Sequence, residues 1–250
     1  MMRDILSLPP HPADQRIAYG DDPSQFFDVW KPAAPRAVAM VIHGGFWRAK
    51  YDLLHTSHLC AALAKSGMAV ANLEYRRVGN SGGGWPGTYE DVRRGFAAVQ
   101  RHFAGATKFL VVGHSAGGHL ALRLAVDEPS LCGVIALAPV AVLKTAYDLN
   151  LSRGAVADFL GGTPGGIPQT YEAACPSRHS SSVQRILLHG TNDGDVPISL
   201  SREFEEARQQ DPGTVWFMKI DEADHYDLID PESRAWPILH MDADSLLEGI

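Results

Sequence analysis

Apolar and polar positions alternate along the chain with two distinct periods. Continuous apolar runs at residues 37–42, 68–73, 109–112, 134–137, 185–189 and 215–220 predict buried strands. Between them lie stretches with a 3.6-residue period. Residues 53–66 predict a helix stopped by Gly67. Thr88-x-x-Asp91 has the form of a capping box opening a helix with Val92, Phe96, Val99 and Phe103 on one face. Residues 116–125 predict another helix, and a segment carrying Leu200, Phe204 and Ala207 one more. A C-terminal helix is expected from Pro237, with Asp230-Pro231 and Trp236-Pro237 marking helix boundaries. Strands alternating with helices predict a single α/β domain over residues 1–250, a mostly parallel central sheet with helices on both faces.

One segment breaks the rhythm. Residues 140–182 carry Gly161-Gly162, Pro164-Gly165-Gly166, Pro168 and Pro176, with only short helical patches between them. A stretch of this length between two core strands predicts a small cap or lid insertion over the carboxyl edge of the sheet.

Composition narrows the class. Of 250 residues, 45% are hydrophobic and 20% charged, as in an ordinary globular protein. A net charge of −7 without a Lys/Arg cluster argues against nucleic acid or an anionic membrane as partner. The first ten residues lack the apolar core of a signal peptide, and no apolar run is long enough to span a bilayer, so a cytoplasmic protein is expected. Cys60, Cys132 and Cys175 are odd in number and widely spaced, which predicts free thiols rather than disulfides. The histidine and cysteine spacings match no metal site, so no metal is expected.

Candidate chemistry sits at three predicted strand ends. After Phe109-Leu110-Val111-Val112 comes Gly113-His114-Ser115-Ala116-Gly117, then a helix. A serine in so sharp a strand-to-helix turn is held in a strained conformation that pushes its hydroxyl out of the sheet. Ser115 also stands at a helix N-terminus, where backbone N–H groups stabilise an oxyanion. A serine hydroxyl still needs a base, and that base needs a carboxylate to orient it. In enzymes with this turn the acid and then the histidine follow the serine in chain order, each after its own strand. The run at 185–189 leads into Asp193 and Asp195, and physical reasoning alone leaves both open as the acid. The run at 215–220 leads into His225, the only histidine in that loop, and the expected base. The oxyanion donors expected are the N–H of Ala116 and those of Gly45 and Phe46, with Gly44 a further possibility, in the loop His43-Gly44-Gly45-Phe46-Trp47. Phe46, Trp47, Trp85 and Tyr226 are candidate pocket aromatics. Glu74-Tyr75-Arg76-Arg77 reads as scaffold, with Glu74 paired to an arginine.

Taken together, these motifs resemble the α/β-hydrolase superfamily from about Tyr19 onward, most of all its bacterial carboxylesterase and kynurenine-formamidase-like branch. The residues carrying the resemblance are Tyr19-Gly20-Asp21-Asp22-Pro23-Ser24-Gln25, the His43–Trp47 loop, and Gly113-His114-Ser115-Ala116-Gly117-Gly118-His119. To these are added His189-Gly190-Thr191-Asn192-Asp193 with Val196-Pro197, and Asp224-His225-Tyr226-Asp227. The resemblance implies Ser115 as nucleophile, His225 as base and, between the two candidates, Asp193 as acid. Hormone-sensitive-lipase-like esterases carry a third glycine where this chain has Phe46; a bulky residue followed by tryptophan looks more like arylformamidases and their esterase relatives. The expectation is a cofactor-independent serine hydrolase acting on a small ester or formamide as a monomer or homodimer. Carboxylester cleavage comes first and N-formylkynurenine hydrolysis second. A peptidase or a non-catalytic ligand receptor on the same fold is less expected.

Overall fold

A computed structural model describes residues 4–249. Its centre is an eight-stranded sheet in the order β1-β2-β4-β3-β5-β6-β7-β8. The strands are β1 (Gln15–Ala18), β2 (Phe26–Trp30), β3 (Ala37–Ile42), β4 (Met68–Leu73), β5 (Phe109–His114), β6 (Gly133–Leu137), β7 (Arg185–Gly190) and β8 (Val215–Ile220). From β4 to β8 all neighbours are parallel, and β1 and β2 pair antiparallel along one side. The apolar runs therefore fall where the pattern puts them. β1 and β2 were not expected. β1 is four residues long and largely exposed, and β2 is interrupted by Asp28, whose buried carboxylate is met by Arg16 at 2.7 and 2.8 Å.

The central strands are apolar on both faces because helices cover both. Val38, Met40 and Ile42 of β3 belong to one core, while Ala37, Ala39 and Val41 belong to the other. This period-2 division repeats in β6, where Val134 and Ala136 face one side and Ile135 and Leu137 the opposite one. The first core is closed by α2 (Gly87–His102), α3 (Ala116–Asp127) and α7 (Ser199–Arg208), the second by α1 (Ser57–Lys65) and α8 (Ala235–Glu248). Within 140–182 the chain forms three short helices, α4 (Leu143–Asp148), α5 (Ala155–Leu160) and α6 (Pro168–Ala174).

Three local expectations change. The helix expected over 53–66 opens as a 3-10 turn at Leu53–Thr56, capped by Asp52, before α1 begins. Thr88 and Asp91 do not form a capping box. The Thr88 hydroxyl donates to the Arg76 carbonyl, and Asp91 is buried, accepting two hydrogen bonds from the Arg76 guanidinium and one from Gln25, each at 2.7 Å. Burial of Asp91 demands charged partners more strongly than a helix end demands a cap. Finally, α8 begins at Ala235, so Pro237 lies in its first turn, where proline costs no hydrogen bond.

On α8, Asp242 is 6% exposed and its Oδ2 has no partner among the described residues. Burial pushes its carboxyl up to about 6. The folded state therefore holds this proton more tightly than the unfolded chain, and stability is lost as pH rises from about 4 to about 6. Asp242→Asn is expected to raise stability at pH 7 by on the order of 2 kcal/mol. The gain should shrink towards zero below pH 4, and melting curves across that range check both statements.

The register aligns the carboxyl ends of the parallel strands. Ile42 lies beside both Leu73 and Gly113, His114 beside Leu137, Leu137 beside Leu188, and Gly190 beside Ile220. Loops leaving β3, β5, β7 and β8 thus emerge along one edge.

Candidate active site

Ser115 is the single residue between β5 and α3. Its backbone has φ 57° and ψ −118°, a conformation that non-glycine residues rarely adopt. The turn closes only because its neighbours lack side chains. A Cβ at Gly113 would lie 2.3 Å from the Gly117 carbonyl oxygen, and one at Gly117 2.1 Å from that of Ile42. The Ser115 N–H is anchored on the Leu137 carbonyl at 2.7 Å, while its hydroxyl, 1% exposed as a residue, bonds to no group among the described residues. At the start of α3, the Ala116 N–H has no intrahelical acceptor.

The loops from β7 and β8 are joined by several hydrogen bonds, among them the Asn192 N–H to the Ala223 carbonyl at 2.9 Å and the Glu222 N–H to the Thr191 hydroxyl at 2.8 Å, and they bring two candidate residues together. Nδ1 of His225 lies 2.6 Å from Oδ2 of Asp193. The same oxygen is 3.3 Å from Nε2 of His189, and Oδ1 accepts the N–H groups of Asp195 and Val196 at 2.9 and 2.8 Å. Burial pushes the Asp193 carboxyl up. The hydrogen bonds from His189 and His225, the charge of His225 and the Val196 N–H outweigh that and hold it well below the usual carboxylate range. Asp195, the other acidic candidate, is exposed and contacts the loop through its backbone N–H. His189 also receives a partner in Ser201 at 2.7 Å, so the Asp193 side has a buried support of its own.

The loop after β3 carries three successive residues with positive φ: Gly45 at 104°, Phe46 at 50° and Trp47 at 56°. Among the described residues the N–H groups of Gly45 and Phe46 have no acceptor. Glu74 holds this loop from below. One of its oxygens is 3.0 Å from Nε2 of His43, 2.9 Å from the Tyr75 N–H and 3.3 Å from Arg77, and the other accepts from the Leu53 N–H at 3.2 Å. The Tyr75 hydroxyl donates to the His43 carbonyl at 2.7 Å, and the two rings stack at 4.4 Å. Burial raises the Glu74 carboxyl, but the charge and hydrogen bond of His43, with Arg77, bring it below its ordinary value. The pairing of Glu74 with an arginine is thus Glu74–Arg77, while Arg76 turns to Asp91.

Ser115 and His225 open onto one cavity of about 340 Å³, lined also by Gly45, Phe46, His114 and Tyr226. Of the aromatics expected at the pocket, Phe46 and Tyr226 reach it; Trp47 and Trp85 do not. Trp47 is fully buried and stacked on Phe159 at 4.4 Å, and Trp85 stacks on Tyr89 at 5.3 Å. Burial followed by the charge of Asp195 pushes the Tyr226 phenol up to about 12, so it stays protonated at neutral pH. Further walls come from Leu6, Tyr51, His55 and residues 149–152. Burial and the charge of His43 bring His55 down to about 3, leaving a neutral imidazole in the wall. The 149–152 wall belongs to the 140–182 insertion. Asn150, Ser152 and Arg153 take φ of 52°, 46° and 56°, and Gly154 follows at 83°.

Among the described residues no group of three His, Cys, Asp or Glu side chains is placed to hold a metal ion. Cys60, Cys132 and Cys175 carry free thiols, and among the described residues no helix is long and apolar enough to cross a membrane.

Sheet order, strand-end loops and the Ser115 turn together define an α/β-hydrolase fold. The chain belongs to the BD-FAE family, whose family model matches residues 27–207. It is 26% identical to the esterase LipC of Mycobacterium tuberculosis over 90% of this chain and 62% of that protein. A kynurenine formamidase of Aspergillus versicolor is 25% identical over 74% of this chain and 81% of its own length. With the esterase LipQ of M. tuberculosis at 61%, the chain spans about three-fifths of the two curated esterases. Among solved structures, a truncated carbohydrate esterase from gut microbiota superposes with a TM-score of 0.82 at 16% identity, covering 96% of this chain and all of that one. An esterase of Thermogutta terrifontis with propionate bound gives 0.73 at 22%, covering 95% and 94%. At these identities the structural likeness establishes the fold.

Proposed function

We propose that this chain is a cofactor-independent carboxylesterase that works through an acyl-enzyme on Ser115. The observation that carries the reading is the 2.6 Å bond between His225 and Asp193 at the cavity into which Ser115 opens. In the proposed cycle Ser115 Oγ attacks the ester carbonyl as His225 Nε2 takes its proton. Asp193 holds the imidazole through Nδ1. The N–H groups of Ala116, Gly45 and Phe46 stabilise the oxyanion. His225 then returns the proton to the departing alcohol, and a water activated by the same imidazole releases the acid. A 340 Å³ cavity suits a small ester, and in this reading the 140–182 insertion acts as a cap forming one wall.

A second reading, cleavage of an aryl formamide, is favoured by one observation. The kynurenine formamidase matches this chain over 81% of its length, against about three-fifths for the two esterases. Both reactions use the same site, so substrate competition separates them. The purified chain is expected to hydrolyse p-nitrophenyl acetate, to be labelled at Ser115 by a fluorophosphonate, and to prefer short aryl esters to N-formylkynurenine in kcat/KM. A reversed preference overturns the esterase reading in favour of the formamidase. Absence of labelling overturns both. The three free thiols fit a reducing, cytoplasmic setting.

A further inference from the structure

His114 ends β5 and immediately precedes Ser115, yet its side chain serves the opposite partner. Its Nε2 lies 3.0 Å from the backbone carbonyl oxygen of His225, and the two rings stand 4.5 Å apart at 46°. A carbonyl only accepts, so Nε2 carries the hydrogen and Nδ1 is left as a bare lone pair. Nδ1 has no hydrogen-bond partner among the described residues and faces the loop after β3, where a Cβ on Gly44 would come within 3.2 Å of it. Burial first, and then the neighbouring His225, hold the His114 imidazole well below the ordinary histidine range. It is therefore a neutral donor of fixed tautomer.

We propose that His114 is a positioning residue that pins the backbone of His225 to the strand bearing Ser115. This rests on the reading of Ser115, His225 and Asp193 given above. Asp193 fixes the direction of the His225 ring, but both belong to loops that end different strands from the serine. The rest of the β8 loop is tied to itself and to the β7 loop rather than to β5: Asp224 accepts from the N–H groups of Tyr226 and Asp227 at 2.8 and 2.9 Å, the Asn192 N–H donates to the Ala223 carbonyl at 2.9 Å, and the Glu222 N–H donates to the Thr191 hydroxyl at 2.8 Å. The His114 bond joins the base directly to β5. It sets how far Nε2 of His225 stands from Ser115 Oγ, a distance on which proton transfer depends steeply. A misplacement of about 1 Å in such a pair costs on the order of 100-fold in rate.

Side-chain geometry supplies a discriminating set of variants. The amide nitrogen of glutamine sits at the same bond count as Nε2, whereas phenylalanine keeps the ring and removes the donor. His114→Phe is expected to lower kcat on p-nitrophenyl acetate by about 10- to 100-fold, with KM within about threefold. His114→Gln should retain kcat within about threefold of the parent. His114→Asn, whose amide ends short of the carbonyl, is the second donor-deleting variant should the phenylalanine fail to fold. The downfield proton resonance of His225 Nδ1–H is the readout independent of turnover. It should be lost or shifted in the Phe and Asn variants and kept in the Gln variant. Unchanged kcat and an unchanged resonance in a folded donor-deleting variant overturn the proposal, as does equal loss in the Gln and Phe variants. A parent chain that shows the resonance and its response to His114 but no turnover overturns the esterase reading and leaves the positioning role standing.

Discussion

Replacing Ser115 by alanine should, in the proposed mechanism, lower turnover of p-nitrophenyl acetate by about 10⁶-fold, the loss found when the nucleophile of a Ser-His-Asp triad is removed. No other hydroxyl stands in the elbow to substitute for it. The fold should survive, because the φ of 57° is imposed by β5, α3 and the glycine contacts, and alanine adds no atom to the turn. The small residual rate would come from oxyanion donors that remain in place. Thermal melting alongside the kinetics separates loss of chemistry from loss of structure. Activity within tenfold of the parent, in a protein that melts normally, would remove Ser115 from the mechanism.

Asp193→Asn is expected to lower kcat by about 10⁴-fold, while Asp195→Asn should change it by no more than about threefold. The asymmetry follows from the hydrogen bonds. Asp193 accepts from His225 Nδ1, and an asparagine amide presented to Nδ1 would favour the wrong tautomer, leaving Nε2 protonated and unable to take the serine proton. Asp195 directs no side-chain hydrogen bond at either histidine. Since Asp193 is held well below the usual carboxylate range, it stays ionised throughout ordinary assay pH, and the loss in the asparagine variant should be seen across that whole range. Comparable losses in the two variants would return Asp195 to contention.

Much of this was legible in the sequence for identifiable reasons. Strands β3 to β7 are buried on both faces, which produces uninterrupted apolar runs, and their aligned carboxyl ends make chain order a proxy for proximity. The Ser115 turn announces itself through Gly113 and Gly117 because no side chain fits at either position. Other features have no local signature. β2 hides behind Asp28, whose partner Arg16 lies on another strand. Asp91 reads as a helix cap until Arg76 and Gln25 are seen around it. Trp47 and Trp85 are aromatics near the site in sequence, but their rings turn to Phe159 and Tyr89 in the core. Tyr51, His55 and residues 149–152 reach the cavity only through tertiary packing, and no spacing rule connects them to Ser115. His114 was visible as part of a pentapeptide, while its bond to a residue 111 positions away was not.

The wall supplied by residues 149–152 runs into a turn in which Asn150, Ser152, Arg153 and Gly154 all hold left-handed backbone. Such a turn is specified collectively, since each residue keeps its unfavourable φ only while its neighbours keep theirs. The composition of this wall is therefore inherited as a block. Accumulated single changes would be filtered towards glycine, asparagine and aspartate, which hold left-handed backbone most readily, whatever substrate they favoured. If the proposed esterase reading holds, exchanging the whole 149–154 stretch, with β5, β7 and β8 untouched, is expected to change acyl preference without disturbing Ser115, Asp193 and His225.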